Sequence, residues 1–146
     1  MRVLVVEDKV KEREKIISCL KEMDNVTFST ADTLAATKEK LGSDAFDLIL
    51  LNLDLPNGEG LDLFRRVICI TSTPILILSA ADDDEIALEA AHEGAYGYVH
   101  KETLSTKKLF RHMQYAHKQF TSKVDLLHEN VELRATTRSA VERLSS

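Results

Sequence analysis

Nothing in this chain approaches the roughly 20 consecutive apolar residues that a membrane helix requires. The start, MRVLVVED, turns acidic too soon for a secretory leader. No stretch interleaves basic and aromatic residues, and the formal charge is -5, which argues against a module that grips nucleic acid electrostatically. Cys19 and Cys69 stand apart, without CxxC spacing or flanking histidine ligands, so two reduced core thiols are expected rather than a disulfide or a zinc site. These absences together predict a cytoplasmic protein with no direct nucleic-acid partner and no membrane contact. What remains, 146 residues of which 44% are hydrophobic and 29% charged, suffices for one soluble domain with a sizeable core.

Glycine and proline are missing from about Ser105 to the end, so a fifth helix is expected to run far beyond the domain. Phe110, Met113, His117, Phe120, Val124, Leu127 and Val131 follow an alternating three-four spacing, the seam of a coiled coil. Past Val131 the seam turns polar with Arg134 and Arg138. One reading makes 119–146 a parallel dimer stalk leading toward an output domain, with 1–118 as the folded domain. The other makes it one amphipathic helix whose first half packs on the domain.

Upstream, short β-rich runs alternate with helical patterns. Val3 to Val6, Val26 to Ser29, Leu48 to Leu51, Ile75 to Leu78 and Tyr98 to Val99 read as strands. Between them, Val10 to Met23 carries Ile16, Ile17 and Leu20 at helical spacing, Asp32 is placed to cap a helix through Leu41, and Gly60 to Val67 and Asp83 to Glu93 complete the set. Near-continuous apolar strands in βα repeats imply an α/β fold: a doubly wound parallel sheet with helices on both faces. Chemistry in such sheets gathers at the carboxyl ends of the strands.

Those ends are distinctive. The first strand delivers the adjacent carboxylates Glu7 and Asp8, hard oxygen ligands that suit Mg²⁺, although an acid there also caps a following helix. The third, DLILLNLDLPNGEG, delivers Asn52 before Pro56, Asn57 and Gly58 force a turn. The fourth, PILILSA, ends in Ser79 and Ala80, a hydroxyl beside a small residue; the fifth, GAYGYVHKE, places Tyr98 and then Lys101, a mobile point charge suited to phosphate.

In order and spacing these residues resemble the receiver domains of response regulators in two-component phosphorelays, over about residues 1 to 118. The resemblance implies a (βα)5 flavodoxin-like sheet of order 2-1-3-4-5 and a non-enzymatic signalling module served by a histidine kinase or phosphotransfer protein. It implies Mg²⁺ held by Glu7, Asp8, the residue at 52 and the backbone carbonyl of Asp54. Ser79 resembles the hydroxyl that follows the phosphoryl group, Tyr98 the aromatic switch, and Lys101 the phosphate-pairing lysine. It further implies a homodimer through the fourth and fifth helices. Glu102 stands where most members have proline, so a trans Lys101–Glu102 bond is expected.

The main departure is Asn52, where the family has the aspartate that accepts the phosphoryl group. A neutral amide offers no anionic nucleophile, and its nitrogen is a donor rather than a ligand, so no acyl phosphate is expected at Asn52 and Mg²⁺ binding should be weakened. Three origins stand open: a natural pseudo-receiver whose state is fixed or set by a partner, an engineered variant, or transfer of some acceptor role to Asp54. A Mg²⁺-dependent phosphatase of similar topology would also need an aspartate at the strand end, so Asn52 counts equally against it. His128-Glu129 begins like a kinase phosphoacceptor box, but Asn130 and Val131 do not continue it. His112 and His117 miss the i, i+4 spacing of a helical metal pair.

Overall fold

The computed structural model describes residues 1–53, 61–80 and 84–124. Five strands, β1 (Arg2–Val6), β2 (Thr27–Ala31), β3 (Leu48–Asn52), β4 (Ile75–Ser79) and β5 (Gly97–His100), form one sheet of order β2-β1-β3-β4-β5. All four strand pairs are parallel, as the apolar runs predict. Every residue of β3 and β4 is buried, because helices cover the sheet on both sides.

Alternation along the strands sorts the core into two layers. Leu4, Val6, Ile49, Leu51, Ile75 and Ile77 face one way and meet α3 (Asp62–Ile68) through Leu63, Phe64 and Val67, and α4 (Asp84–His92) through Ala90. Leu34, Ala36 and Leu41 of α2 (Leu34–Ser43) pack at the margin of that layer. Val3, Val5, Leu48, Leu50, Leu76 and Leu78 face the other way, against Ile16 and Leu20 of α1 (Val10–Lys21) and Leu109, Met113 and Ala116 of α5 (residues 106–124).

Several local expectations are corrected. Thr33, not Asp32, caps α2: its Oγ1 accepts from the Ala36 amide at 3.0 Å, and its carbonyl accepts from the Thr37 hydroxyl at 2.8 Å. The residue capping α1 is Lys9, with no side-chain cap bond, so Asp8 is not spent on the helix end. Cys69 is exposed and Cys19 only partly buried, so neither is a fully buried core thiol; Cys19 packs at the edge of the second layer. The buried stripe of α5 is Leu109, Met113 and Ala116, which gives Met113 to the domain core and removes it from any coiled-coil seam. Phe110 and Val124, by contrast, remain exposed. Leu127, Val131, Arg134, Arg138 and His128 lie outside the described residues, as do Asp54 and the turn Pro56–Asn57–Gly58. No peptide bond among the described residues is cis, so Lys101–Glu102 is trans.

Candidate functional site

The parallel registers bring the strand ends to one edge. Asn52 pairs with Leu78, one residue before Ser79, and Ser79 pairs with His100, one residue before Lys101. Glu7 follows β1 directly, tied by its amide to the Ala31 carbonyl at 3.0 Å. Glu7, Asn52, Ser79 and Lys101 are the polar residues buried at this edge; elsewhere only Thr37 is as enclosed among the described residues. Burying four polar side chains together is unfavourable unless their hydrogen bonds are made, so the pattern of those bonds reveals what the site is built to hold.

Glu7 is the hub. Its Oε1 accepts from Asn52 Nδ2 at 2.6 Å and from the Lys9 amide at 3.2 Å, while its Oε2 accepts from Lys101 Nζ at 2.9 Å. Arg13 reaches the Glu7 carbonyl with a guanidinium nitrogen at 3.3 Å. Lys101 opens a short 3-10 turn (Lys101–Thr103), and its ammonium donates a second bond, at 2.7 Å, to Oε2 of Glu12 on α1. Glu12 was not among the residues expected from sequence; it is a helix-surface acid whose partner lies 89 residues away, and no local pattern marks it.

Burial pushes the Glu7 carboxyl above its ordinary range, with the Lys101 hydrogen bond and charge pulling it partly back. For Lys101 burial acts downward, but the hydrogen bonds to Glu12 and Glu7 outweigh it and the ammonium is held above its usual range. Lys101 is therefore a cation at neutral pH, lodged between two carboxylates. It does for Glu7 electrostatically what a metal would do.

Asp8 is the unfinished part of the site. Its Oδ1 is buried and meets no hydrogen-bond donor among the described residues, an arrangement that is unfavourable in a folded protein unless something occupies that oxygen. Tyr98 is partly buried against the first core layer. His100 Nε2 lies 2.8 Å from the Ala80 carbonyl, tying the end of β5 to the segment after β4. Asp54, expected to offer a carbonyl, lies outside the described residues, and among those described no cluster of three or more His, Cys, Asp or Glu side chains is poised to hold a metal.

A family model described as the response regulator receiver domain matches residues 3–114. The chain belongs to that family. Among curated relatives of this receiver, the KDP operon transcriptional regulatory protein KdpE of Escherichia coli is 31% identical over 99 residues, covering 68% of this chain and 44% of that protein. The swarming motility regulation protein RssB of Serratia marcescens is 32% identical over 102 residues, covering 69% of this chain and 46% of its own length. The receiver thus spans about half the length of the curated relatives it matches. Its fold overlays on the N-terminal domain of a response regulator/sensory box/GGDEF protein from Carboxydothermus hydrogenoformans with a TM-score of 0.72 at 26% identity, covering 85% of this chain and 99% of that one. It also overlays on the receiver domain of Francisella response regulator 1452, with a TM-score of 0.67 at 25% identity, covering 81% and 97% of the two chains. No helix among the described residues is long and apolar enough to cross a membrane.

Proposed function

We propose that this receiver is a signalling module whose phosphoacceptor position is filled by Asn52, so that its state is set by binding rather than by phosphorylation at that residue. The observation that carries this is the bond from Asn52 Nδ2 to Glu7 Oε1 at 2.6 Å, in a cluster where Lys101 already pairs with the other Glu7 oxygen. An amide that donates to the neighbouring acid is the reverse of a carboxylate poised to attack phosphorus. Phosphoryl transfer at such sites is mostly positioning and charge neutralisation, and the positioning groups Ser79 and Lys101 are present, but the nucleophile is not.

Whether Mg²⁺ suits the residues present can be judged from Asp8. Its buried Oδ1 meets no donor among the described residues, and a hard cation beside Glu7 would satisfy it. Glu7, Asp8 and the Asp54 carbonyl would hold the ion, which would supply neutralisation of the acid pair. Asn52 reduces that fit by removing one charge and by directing N–H rather than oxygen at Glu7, so weak binding is the expectation.

Partners follow from the same family reading: a histidine kinase or phosphotransfer protein at the strand-end edge, and a second copy of the chain at α4 and α5. Charge supports the latter. α4 carries Asp84, Glu85 and Glu89, the last already paired with Arg65 of α3, whereas the described part of α5 has Lys107, Lys108, Arg111, Lys118 and Lys123 and no acid. Leu88 and Tyr115, 67% and 60% exposed, add apolar area to the two helices. A dimer formed this way weakens with added salt.

Incubation with a small phosphodonor and Mg²⁺, read by intact mass, tests the reading. The chain as it stands should remain unmodified while Asn52→Asp gains one phosphoryl group; an adduct on the unsubstituted chain would overturn it. Sedimentation at high micromolar concentration tests the dimer, and a monomer there removes that part.

A further inference from the structure

Lys101 has more negative charge around it than the site chemistry needs. Glu7 alone would pair it, yet Glu12, on the surface of α1, adds a second and shorter contact, 2.7 Å against 2.9 Å. Glu7 is enclosed, whereas the Glu12 side chain is 36% exposed. The ammonium therefore sits at the boundary between a buried carboxylate and a solvated one, with a short path from the first to the second.

We infer that Glu12 is a positioning residue for Lys101: it shares the ammonium with Glu7 in the metal-free site and takes it over when a divalent cation occupies Glu7 and Asp8. The inference rests on the Mg²⁺ reading above. A divalent cation held by Glu7 and Asp8 would bring a second positive charge to the carboxylate that Lys101 Nζ now contacts at 2.9 Å, and the two would repel. Without Glu12 the displaced ammonium loses the carboxylate already in contact with it. With Glu12 it moves toward water while keeping that ion pair, so metal entry costs less. Glu12 acts through Lys101 and touches neither the metal nor the residue at 52.

A double-mutant cycle on Mg²⁺ affinity separates this role from that of a plain nearby charge. The full chain and the variants Glu12→Gln, Lys101→Met and the double variant are titrated with MgCl₂, and binding is followed by amide NMR shifts of Asp8 and Leu53. Glu12→Gln should weaken binding by about 2- to 5-fold when Lys101 is present, the scale of a partly exposed ion pair, and by much less in the Lys101→Met background. An equal factor in both backgrounds would overturn the inference, since Glu12 would then act only by its charge. Tighter binding in Glu12→Gln would also overturn it, because Glu12 would be fastening the closed cluster instead of receiving the lysine. If none of the four chains binds Mg²⁺ while Asn52→Asp does, the metal reading fails for this sequence and the hand-over fails with it. In that case the Lys101 ammonium resonance decides the remainder: faster solvent exchange in Glu12→Gln keeps Glu12 as its holder, and unchanged exchange removes that role.

Discussion

Asn52 and Glu7, 45 residues apart in sequence, are joined inside the protein by a 2.6 Å hydrogen bond in which the amide nitrogen donates and the carboxylate accepts. A hydrogen bond to an ionised acceptor in a buried setting is among the stronger kinds, and Lys101 completes it from the other carboxylate oxygen. Glu7 is thereby satisfied by side chains alone, whereas a carboxylate at 52 would face Glu7 and add a further buried negative charge to the site.

Removing Lys101 should expose that dependence. Lys101→Met leaves the Glu7 carboxylate enclosed with, among the described residues, only the Asn52 and Lys9 donors, and breaking a buried pair by deleting one partner is strongly destabilising. A loss of about 2 to 4 kcal/mol at pH 7 is expected from denaturant unfolding, lower than for a fully enclosed pair because Lys101 also reaches the half-exposed Glu12.

The pH dependence has a defined sign. Glu7 binds its proton more readily in the folded state than at its ordinary value of 4.5, so its contribution favours folding fully below that value and diminishes as pH rises through the raised folded value. Lys101, held above 10.5, contributes stability that persists through neutral pH and is lost as pH rises through its folded value. In Lys101→Met the Glu7 contribution should steepen, so that the variant recovers part of its deficit between pH 7 and pH 5. Urea midpoints at the two pH values measure this, and a deficit that grows on acidification would contradict it.

Glycine substitutions should split by location. A Cβ on Gly97, at the start of the edge strand β5, would meet Leu76 Cδ1 of β4 at 2.5 Å, so Gly97→Ala should destabilise by about 1 to 3 kcal/mol through overpacking. Gly42 lies in α2 with nothing within 4 Å of its Cβ position, so Gly42→Ala should stabilise by about 0.5 to 1 kcal/mol. Thermal melts of the two variants moving in opposite directions would bear this out.

Arg65 on α3 reaches Glu89 and Glu93 at 2.7 Å each, spanning to α4 and the residue just beyond it. Both partners are solvent-exposed, so Arg65→Ala should change stability little at low salt, and less in high salt. Unfolding at low and at molar salt would show the difference shrinking.

The architecture was legible because β3 and β4 are continuous apolar runs, which only a sheet covered on both faces accommodates, and because the helices between them fix parallel crossovers. Glu7, Asn52, Ser79 and Lys101 were legible as strand ends for the same reason. Three things were not. Thr33 displaced Asp32 as a cap because both are good capping residues one position apart, and only backbone geometry chooses. Of the described residues in the expected α5 seam only Met113 belongs to the core, because it satisfies both periodicities; the burial of Leu109 and Ala116 beside it agrees with the reading of an amphipathic helix whose first half packs on the domain. Glu12 could not be found at all, since its role arises from a contact between α1 and the turn after β5.

The central interaction is the bond the Asn52 amide donates to Glu7, and denaturant unfolding of Asn52→Asp against the parent measures it directly. In EDTA at pH 7 the variant should lose about 2 to 4 kcal/mol, from one charge-assisted hydrogen bond replaced by a carboxylate facing a carboxylate, and millimolar Mg²⁺ should restore most of that loss in the variant while changing the parent little. Equal stability of the two chains in EDTA, or a variant indifferent to Mg²⁺, would contradict it.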